Sequence, residues 1–390
     1  GGELMNVKIY RGTHQIGGSV TGISTGKTRV IIDMGKPLLS GKSGERENLR
    51  IDEPYDAVVF THYHGDHTGL MEDIASNIPL YIGEGARELF LASEIHKESG
   101  KAERIKSMRT YKDGRPFFVG DLKITPILTD HSAFDSYMML VEGEGKRVLH
   151  TGDFRTHGIK GDMVIPAAET LRGKVDLLIT EGTNLSYRQP VVCSERDLGK
   201  AASVLGERYK YVFCICDPLD IDRLAIFHKS AEKKGVFLCD AFQMSLMEIA
   251  EKYGKSVSDS YNFEGAKVYY QGIEAEKNGF FMAVRPDKDF ASLLKPYREK
   301  YSDKSLLIYS MSEGYLKRHE QEVRQIADGF PYFVKLHTSG HASSEAIWQL
   351  INALQPEKLT VIHTEKPENL RAGALQNRAV YLEDGDSFDI

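Results

Sequence analysis

The run Thr61-His62-Tyr63-His64-Gly65-Asp66-His67 packs three imidazoles and a carboxylate into seven consecutive residues. With 13 histidines in 390 residues, an H-x-H-x-D-H pattern arises by chance in roughly one chain in a thousand. A merely solvated polar loop is therefore the weaker explanation, and a metal site the stronger. Tyr55 to Phe60 reads as a short buried strand ahead of the run, and Thr68 to Asn77 shows helical spacing behind it through Leu70, Ile74 and Ala75. Residues two apart on an extended segment point the same way, so His62 and His64 can grip one ion together. Gly65 frees the backbone to turn, after which Asp66 and His67 face another direction and suit a second ion. The spacing predicts a dinuclear centre. Imidazole with carboxylate suits zinc, with iron or manganese as alternatives, and catalytic zinc keeps a coordination position open for water.

Further ligand-type residues stand at the ends of apolar runs. Arg29 to Ile32 ends in Asp33, where an acid before Met34-Gly35 serves equally as a strand stop or as chemistry. Leu80 to Ile82 and Glu84 to Glu94 read as another strand and helix. His131 follows the run from Ile124, and a hairpin of Tyr137 to Glu142 and Lys146 to His150 delivers Asp153. Val175 to Thr180 runs into Glu181-Gly182-Thr183. From Asn184 the texture changes to helix and strand in alternation: helices at Glu195 to Tyr209, Asp222 to Lys233 and Gln243 to Tyr253, strands at Tyr211 to Cys216 and Val236 to Asp240. That pattern implies a parallel sheet, carried by a block inserted into the first domain. Leu306 to Ser310 enters Met311-Ser312-Glu313-Gly314, an ordinary turn or a phosphate cradle. The chain then returns to ligand-rich tips. Tyr332 to Leu336 leads into His337-Thr338-Ser339-Gly340-His341-Ala342-Ser343-Ser344 and a helix marked by Ile347, Leu350, Ile351 and Leu354, whose start suits an anion. Lys358 to Ile362 ends in His363, and Ala379 to Asp389 reads as a last edge hairpin.

Length allows two domains, and 41% hydrophobic with 27% charged residues is ordinary for a globular enzyme. No apolar run approaches the length of a membrane span, and no signal peptide is evident. Gly1 to Leu4 read as an addition from expression and are kept out of fold reasoning. Cys193, Cys214, Cys216 and Cys239 have no zinc-ribbon spacing, and a reducing cytoplasm fits them. A net charge of -6 means that a polyanion must be held locally. Basic clusters at Lys42 to Arg50, Lys97 to Lys112 and Arg298 to Lys304 are candidates, although such runs usually form solvated faces.

In order, His62, His64, Asp66, His67, His131 and Asp153 resemble the ligand set of the metallo-β-lactamase superfamily. Glu181 in Thr-Glu-Gly-Thr, His341 in Ser-Gly-His-Ala and His363 in Val-Ile-His-Thr-Glu are similar to motifs A, B and C of the β-CASP nucleases. That group includes RNase J and the cleavage and polyadenylation endonuclease. The resemblance implies an α/β chain built as an αββα sandwich with an inserted, parallel-sheet β-CASP domain. Residues 1–183 would form the N-terminal part of the sandwich, 184–334 the insertion and 335–390 the C-terminal part, with both halves meeting at one site.

By motif, the resemblance implies that His62, His64 and His131 hold one zinc and Asp66, His67 and His363 the other, with Asp153 bridging and Asp33 supporting the loop from behind. Manganese is the alternative cofactor. Asp66, His341 and Glu181 would carry catalysis, Glu181 orienting His341 at the scissile phosphate or leaving oxygen. Ser339, Gly340, Ser343 and Ser312 would contact phosphate, although Met311-Ser-Glu-Gly departs from the Gly-Ser-Gln-Gly-Glu pattern of RNase J and puts 5′ exonuclease action in doubt. The implied activity is a zinc-dependent ribonuclease hydrolysing single-stranded RNA through a di-zinc-bound hydroxide, His363 at motif C favouring RNA over DNA. RNA is the expected partner, with no membrane and with homo-oligomerisation left open. The extra C-terminal domain of RNase J and an N-terminal KH module are expected to be absent. Two other readings are a metallohydrolase of DNA or a small phosphodiester or ester, and a non-catalytic RNA scaffold; the filled ligand positions weigh against the scaffold.

Overall fold

The computed structural model describes residues 4–38, 49, 51–187, 192–269 and 275–390. The basic residues of the Lys42–Arg50 cluster lie outside them. Two compact units are present, one made of residues 1–156, 160–190 and 340–390, the other of 157–159 and 191–339. These divisions fall a few residues beyond 183 and 334, for a physical reason. The turn Thr183–Ser186 buries Leu185 in the first unit's core. Thr338 donates its hydroxyl to the Cys193 carbonyl within the second.

The first unit contains a seven-stranded and a six-stranded sheet. In the seven-stranded sheet Ser387–Asp389 lies at one edge, followed by Asn6–Arg11, Val20–Ser24, Arg29–Ile32, Ala57–Val59, Leu80–Gly83 and Arg109–Tyr111. The other runs Lys358–Ile362, Leu177–Glu181, Lys146–His150, Tyr137–Gly143, Leu122–Leu128 and Phe117–Val119. One apolar core draws Val7, Ile9, Val30 and Val59 from the first sheet and Ile124, Met139, Val141 and Ile179 from the second, so the sheets pack face to face. The second sheet's outer face buries Leu149 and Leu178 against helices Gly161–Glu169 and Ser344–Leu354, through Val164, Ile347, Leu350 and Ile351. Helix Glu84–His96 packs on strands Leu80–Gly83 and Arg109–Tyr111. The expected αββα sandwich is therefore present.

Strand direction is what gathers the site. Arg29–Ile32 and Ala57–Val59 are parallel, as are Lys146–His150, Leu177–Glu181 and Lys358–Ile362. Leu122–Leu128 is two antiparallel steps from Lys146–His150 and runs the same way. All these strands release their C-terminal residues at the same edge of their sheet, where loops carry function.

Two expected elements differ. The helix read at Thr68 to Asn77 is a single turn, Gly65–Thr68, followed by a 3-10 turn at Met71–Asp73. A continued helix needs the Leu70 N–H on the Asp66 carbonyl. Instead Leu70 donates to Met34 O at 2.9 Å, and Asp66 O accepts from Ser19 at 3.2 Å. The closing hairpin is also absent. Val380 donates to Leu359 O at 2.8 Å on the second sheet, whereas Ser387–Asp389 pairs with Asn6–Lys8 on the first. The two arms border different sheets because each sheet leaves one edge to be covered.

The second unit is a six-stranded, wholly parallel sheet in the order Ala266–Val268, Phe237–Cys239, Phe280–Val284, Tyr211–Ile215, Ser305–Tyr309, Phe333–Lys335. Its strands read as continuous apolar runs because both faces are buried, and Phe213, Phe280, Met282 and Leu307 form the core. Arg223 is fully buried and bidentate on Glu195, at 2.9 and 2.8 Å, and also donates to the Ser310 hydroxyl at 2.8 Å. No described helix is long and apolar enough to cross a membrane. Removing one member of such a buried pair strands the other charge. Arg223→Ala is therefore expected to lower stability by about 3 to 5 kcal/mol, read from the midpoint of a urea titration.

Candidate metal centre

The Thr61–His67 loop is held by backbone before any ligand is considered. Met34 N–H donates to His67 O at 2.8 Å and Lys36 N–H to Gly65 O at 3.1 Å. A Cβ on Gly35 would lie 1.6 Å from the Asp66 carbonyl oxygen, so only glycine admits that approach. The loops bearing His131 and Asp153 are tied to each other. Arg155 N–H donates to Asp130 O at 2.7 Å, and the two buried side chains pair at 3.4 Å.

Four histidines are anchored through Nδ1 and turn Nε2 inward. His62 Nδ1 meets Thr61 Oγ1 at 3.0 Å. His67 Nδ1 meets Asp33 Oδ2 at 2.7 Å, while His131 Nδ1 meets Gly340 O at 2.6 Å. His363 Nδ1 meets Thr183 Oγ1 at 2.7 Å. Such outer hydrogen bonds set the tautomer and aim the second lone pair. Asp33 is itself held by the Thr61 N–H and hydroxyl, both at 2.8 Å. It adopts φ 60°, as does His363 at φ 57°, a left-handed backbone in which each side chain leaves its strand tip sharply.

The inward atoms converge on Asp153. Its Oδ2 lies 3.1 Å from His67 Nε2, 3.7 Å from His363 Nε2 and His341 Nδ1, and 3.8 Å from His62 Nε2 and His131 Nε2. Around it the potential ligand atoms form overlapping groups: His62, His64 and His131 on one side, Asp66, His67, Asp153 and His363 on the other, and two that bring in His341, one with His131 and Asp153 and one with Glu181 and His363. His363 Nε2 also lies 3.1 Å from Asp66 Oδ2. All the residues singled out as ligands thus meet in the first unit.

His341 Nδ1 is 3.1 Å from Glu181 Oε1, and Glu181 also accepts from the backbone N–H groups of Thr183 at 2.8 Å and Ala342 at 3.2 Å. The phosphate candidates divide. Gly340 and Ser343 share the ligands' unit, whereas Ser312 and Ser339 belong to the other. Ser312 and Ser343 cap the helices that follow them, accepting from Tyr315 and Ala346 at 3.1 Å each, and Gly340 offers its carbonyl to His131. Sequence reasoning passed over Thr61, Thr183 and Asn184. Thr183 Oγ1 reaches both His363 and His341, the latter at 3.1 Å, and Asn184 donates to the His341 and Ala342 carbonyls at 3.0 Å. Their only signal was adjacency to a motif acid or histidine.

Electrostatics follow from burial. It drives His62 and His131 well below an ordinary imidazole, reinforced at His62 by His67 and opposed at His131 by Asp153. Both are therefore neutral lone-pair donors. At His67 burial acts in the same sense but is outweighed by Asp153, Asp66 and Asp33, which hold it well above the ordinary value. At His341 burial is likewise overcome, by Glu181 and then Asp153, and the ring is raised to about 9. Asp153 and Asp66 would be raised by burial, yet the surrounding histidines hold both below the carboxylate range.

This donor set fits a divalent cation. His62 Nε2 is buried and has no hydrogen-bond partner among the described residues, a costly state that a cation beside Asp153 relieves. Three imidazoles on one side and two imidazoles with two carboxylates on the other suit divalent metal ions.

Residues 28–213 match the model of the Beta-lactamase superfamily domain. These residues are thus similar to a metallo-β-lactamase-type domain. It is similar to Ribonuclease J of Helicobacter pylori, 21% identical over 424 residues that take in 97% of this chain and 60% of that protein. It is also similar to an RNase J-like protein of Methanocaldococcus jannaschii, 26% identical over 191 residues, 46% of this chain and 43% of that one. A protein of unknown function from Enterococcus faecalis shares the fold, with a TM-score of 0.78 at 18% identity over 99% of this chain and 100% of that one. The resemblance to the RNase J group of the β-CASP family therefore extends over most of the chain at low identity. The chain spans about 60% of the length of the curated Ribonuclease J that it matches.

The pKa directions predict a pH-dependent response to cations. In the cation-free protein His62 and His131 lie below the unfolded value of 6.5, so their contribution is complete above that pH and lost below it. His67 and His341 lie above it, so theirs is complete below pH 6.5 and lost as pH rises, through about 9 for His341. A cation held by His67 would take the place of its proton. The gain in melting temperature on adding Zn2+ or Mn2+ to chelator-stripped protein is expected to grow from pH 6.5 towards pH 9. A gain that shrinks over that range would contradict the assignment.

Proposed function

We propose that the protein is a metal-dependent ribonuclease hydrolysing phosphodiester bonds of single-stranded RNA, with a pair of zinc or manganese ions as cofactor. The observation that carries this reading is the placement of Asp153 Oδ2 within 3.8 Å of four imidazole nitrogens, two from each of two ligand groups. A single carboxylate oxygen so placed suits two cations sharing one ligand. The similarity to Ribonuclease J over 97% of this chain supports RNA as the substrate, and His363 at the third motif points the same way. With the reading go the second unit as an inserted β-CASP domain, a cytoplasmic location and RNA as partner.

Cations held by His62, His64 and His131 and by Asp66, His67 and His363, with Asp153 between, would neutralise phosphate charge and make bound water acidic enough to attack at neutral pH. The protein's own groups do the rest. Asp33, Thr61, Thr183 and the Gly340 carbonyl hold the ligand rings, so no reorganisation is needed as charge develops. Asp66, the ligand carboxylate with 12% side-chain exposure, is placed to orient the attacking water. His341 keeps a proton through its pairing with Glu181, turning Nδ1 to that carboxylate and leaving Nε2 as the nitrogen to meet the phosphate or protonate the leaving oxygen. Thr183 Oγ1 bonds to both His341 and His363 and fixes their spacing.

The test is to incubate the protein and Zn2+ or Mn2+ with labelled RNA bearing a 5′ monophosphate or hydroxyl, with matched DNA and with a chromogenic phosphodiester. RNA should be cut, a chelator should stop the reaction, and the product ladder should separate exonuclease from endonuclease action. Intact RNA beside a cleaved DNA or phosphodiester would sink the proposal. His64→Ala and Asp153→Asn should each abolish turnover while circular dichroism stays native. His341→Ala should lower kcat by about 100- to 10,000-fold with metal content unchanged by elemental analysis, whereas metal loss would make His341 a ligand rather than an acid.

A further inference from the structure

His150 ends the strand that leads to Asp153, and the mechanism above gives it no task. Its side chain is buried, at 2% exposure. The Gly152 N–H donates to His150 Nδ1 at 3.0 Å, so Nδ1 is an acceptor and the neutral ring carries its hydrogen on Nε2. That Nε2 is buried with no hydrogen-bond partner among the described residues. An apolar side chain would spare the fold an orphaned N–H, so stability alone does not account for an imidazole here.

What Nδ1 holds is a turn. Sheet pairing covers His150, and Thr151 N–H still bonds across to Ile179 O at 2.9 Å. Gly152 N–H is the next donor along the chain, and His150 takes it. Gly152 sits at φ 55°, where an added Cβ would lie 2.9 Å from the Thr61 side chain, so the backbone turns sharply while packed against the histidine-rich loop. The residue delivered by that turn is Asp153, whose Oδ2 must lie between two groups of nitrogens.

We propose that His150 is a positioning residue: by accepting from Gly152 it sets the turn that keeps Asp153 Oδ2 shared between the two ligand groups, and so sets the affinity for the cation pair. The inference rests on the reading of Asp153 as a shared ligand. Two substitutions separate positioning from packing. His150→Asn restores an acceptor near Nδ1 but leaves a gap, whereas His150→Leu fills the space and offers no acceptor.

Chelator-stripped proteins would be melted by calorimetry and titrated with Zn2+ by isothermal calorimetry. Wild type and His150→Asn are expected to take up a pair of ions with indistinguishable affinity, and His150→Leu to bind on the order of tenfold more weakly. The stripped His150→Leu protein should nevertheless melt no lower than His150→Asn. Wild-type affinity in His150→Leu, or affinities that follow the melting temperatures across the three proteins, would overturn the inference. A wild type that takes up no zinc would instead bring down the shared-ligand reading and this inference with it.

Discussion

Four of the imidazoles around Asp153 Oδ2, those of His62, His67, His131 and His363, are at most 1% exposed. Water cannot screen these four, and the five rings around Asp153 cannot all be protonated against one another at this spacing. The positive charge that Asp153, Asp66 and Asp33 require must therefore be shared out as protons on His67 and His341 or supplied by cations. The outer hydrogen bonds decide which atoms face that demand. Asp33, Thr61, Thr183 and the Gly340 carbonyl each occupy an Nδ1, and every Nε2 that remains points to the same place.

Such convergence needs rigid supports, because an imidazole displaced by an ångström leaves the group. Parallel strands supply them by releasing ligand-bearing loops at a common edge, and the face-to-face packing of two sheets brings those edges together. Gly35 lets the neighbouring backbone reach Asp66 closely enough to take up hydrogen bonds that would otherwise have prolonged a helix. The one-turn helix at Gly65–Thr68 thus follows from positioning. Leu70 N–H is given to Met34 O, and the His67 and Gly65 carbonyls accept from Met34 and Lys36 of the strand-end loop beside it.

The second unit solves a different problem. Its parallel sheet is covered on both faces, and the buried Arg223 joins Glu195, Ser310 and the Thr338 carbonyl, which come from three separated segments. Ser312 and Ser339 belong with that framework. Of the basic clusters, Lys97, Lys101, Lys106 and Lys112 each pair with a glutamate, and Arg298 donates to the Ala291 and Gln325 carbonyls. These described clusters behave as solvated or helix-bracing faces, as such charge runs usually do.

The ligand types and the alternating second unit were legible in sequence because both are local. His-x-His spacing fixes which side chains share a face of an extended segment, and apolar runs interleaved with helical spacing specify a parallel sheet. Asp33, Asp153, Glu181 and His363 were visible only as polar residues at strand ends, where a strand stop and a site look alike. What brings them together lies in hydrogen-bond pairing between segments as much as 297 residues apart, such as His363 with Asp66, and no local pattern encodes such a partner. Thr183, Asn184 and His150 were overlooked for the same reason: a hydroxyl, an amide or a strand-end imidazole acquires its role from the atom opposite it. The failed helix and the failed final hairpin carry the same lesson, since in each case tertiary partners took the backbone donors that local propensity had assigned elsewhere.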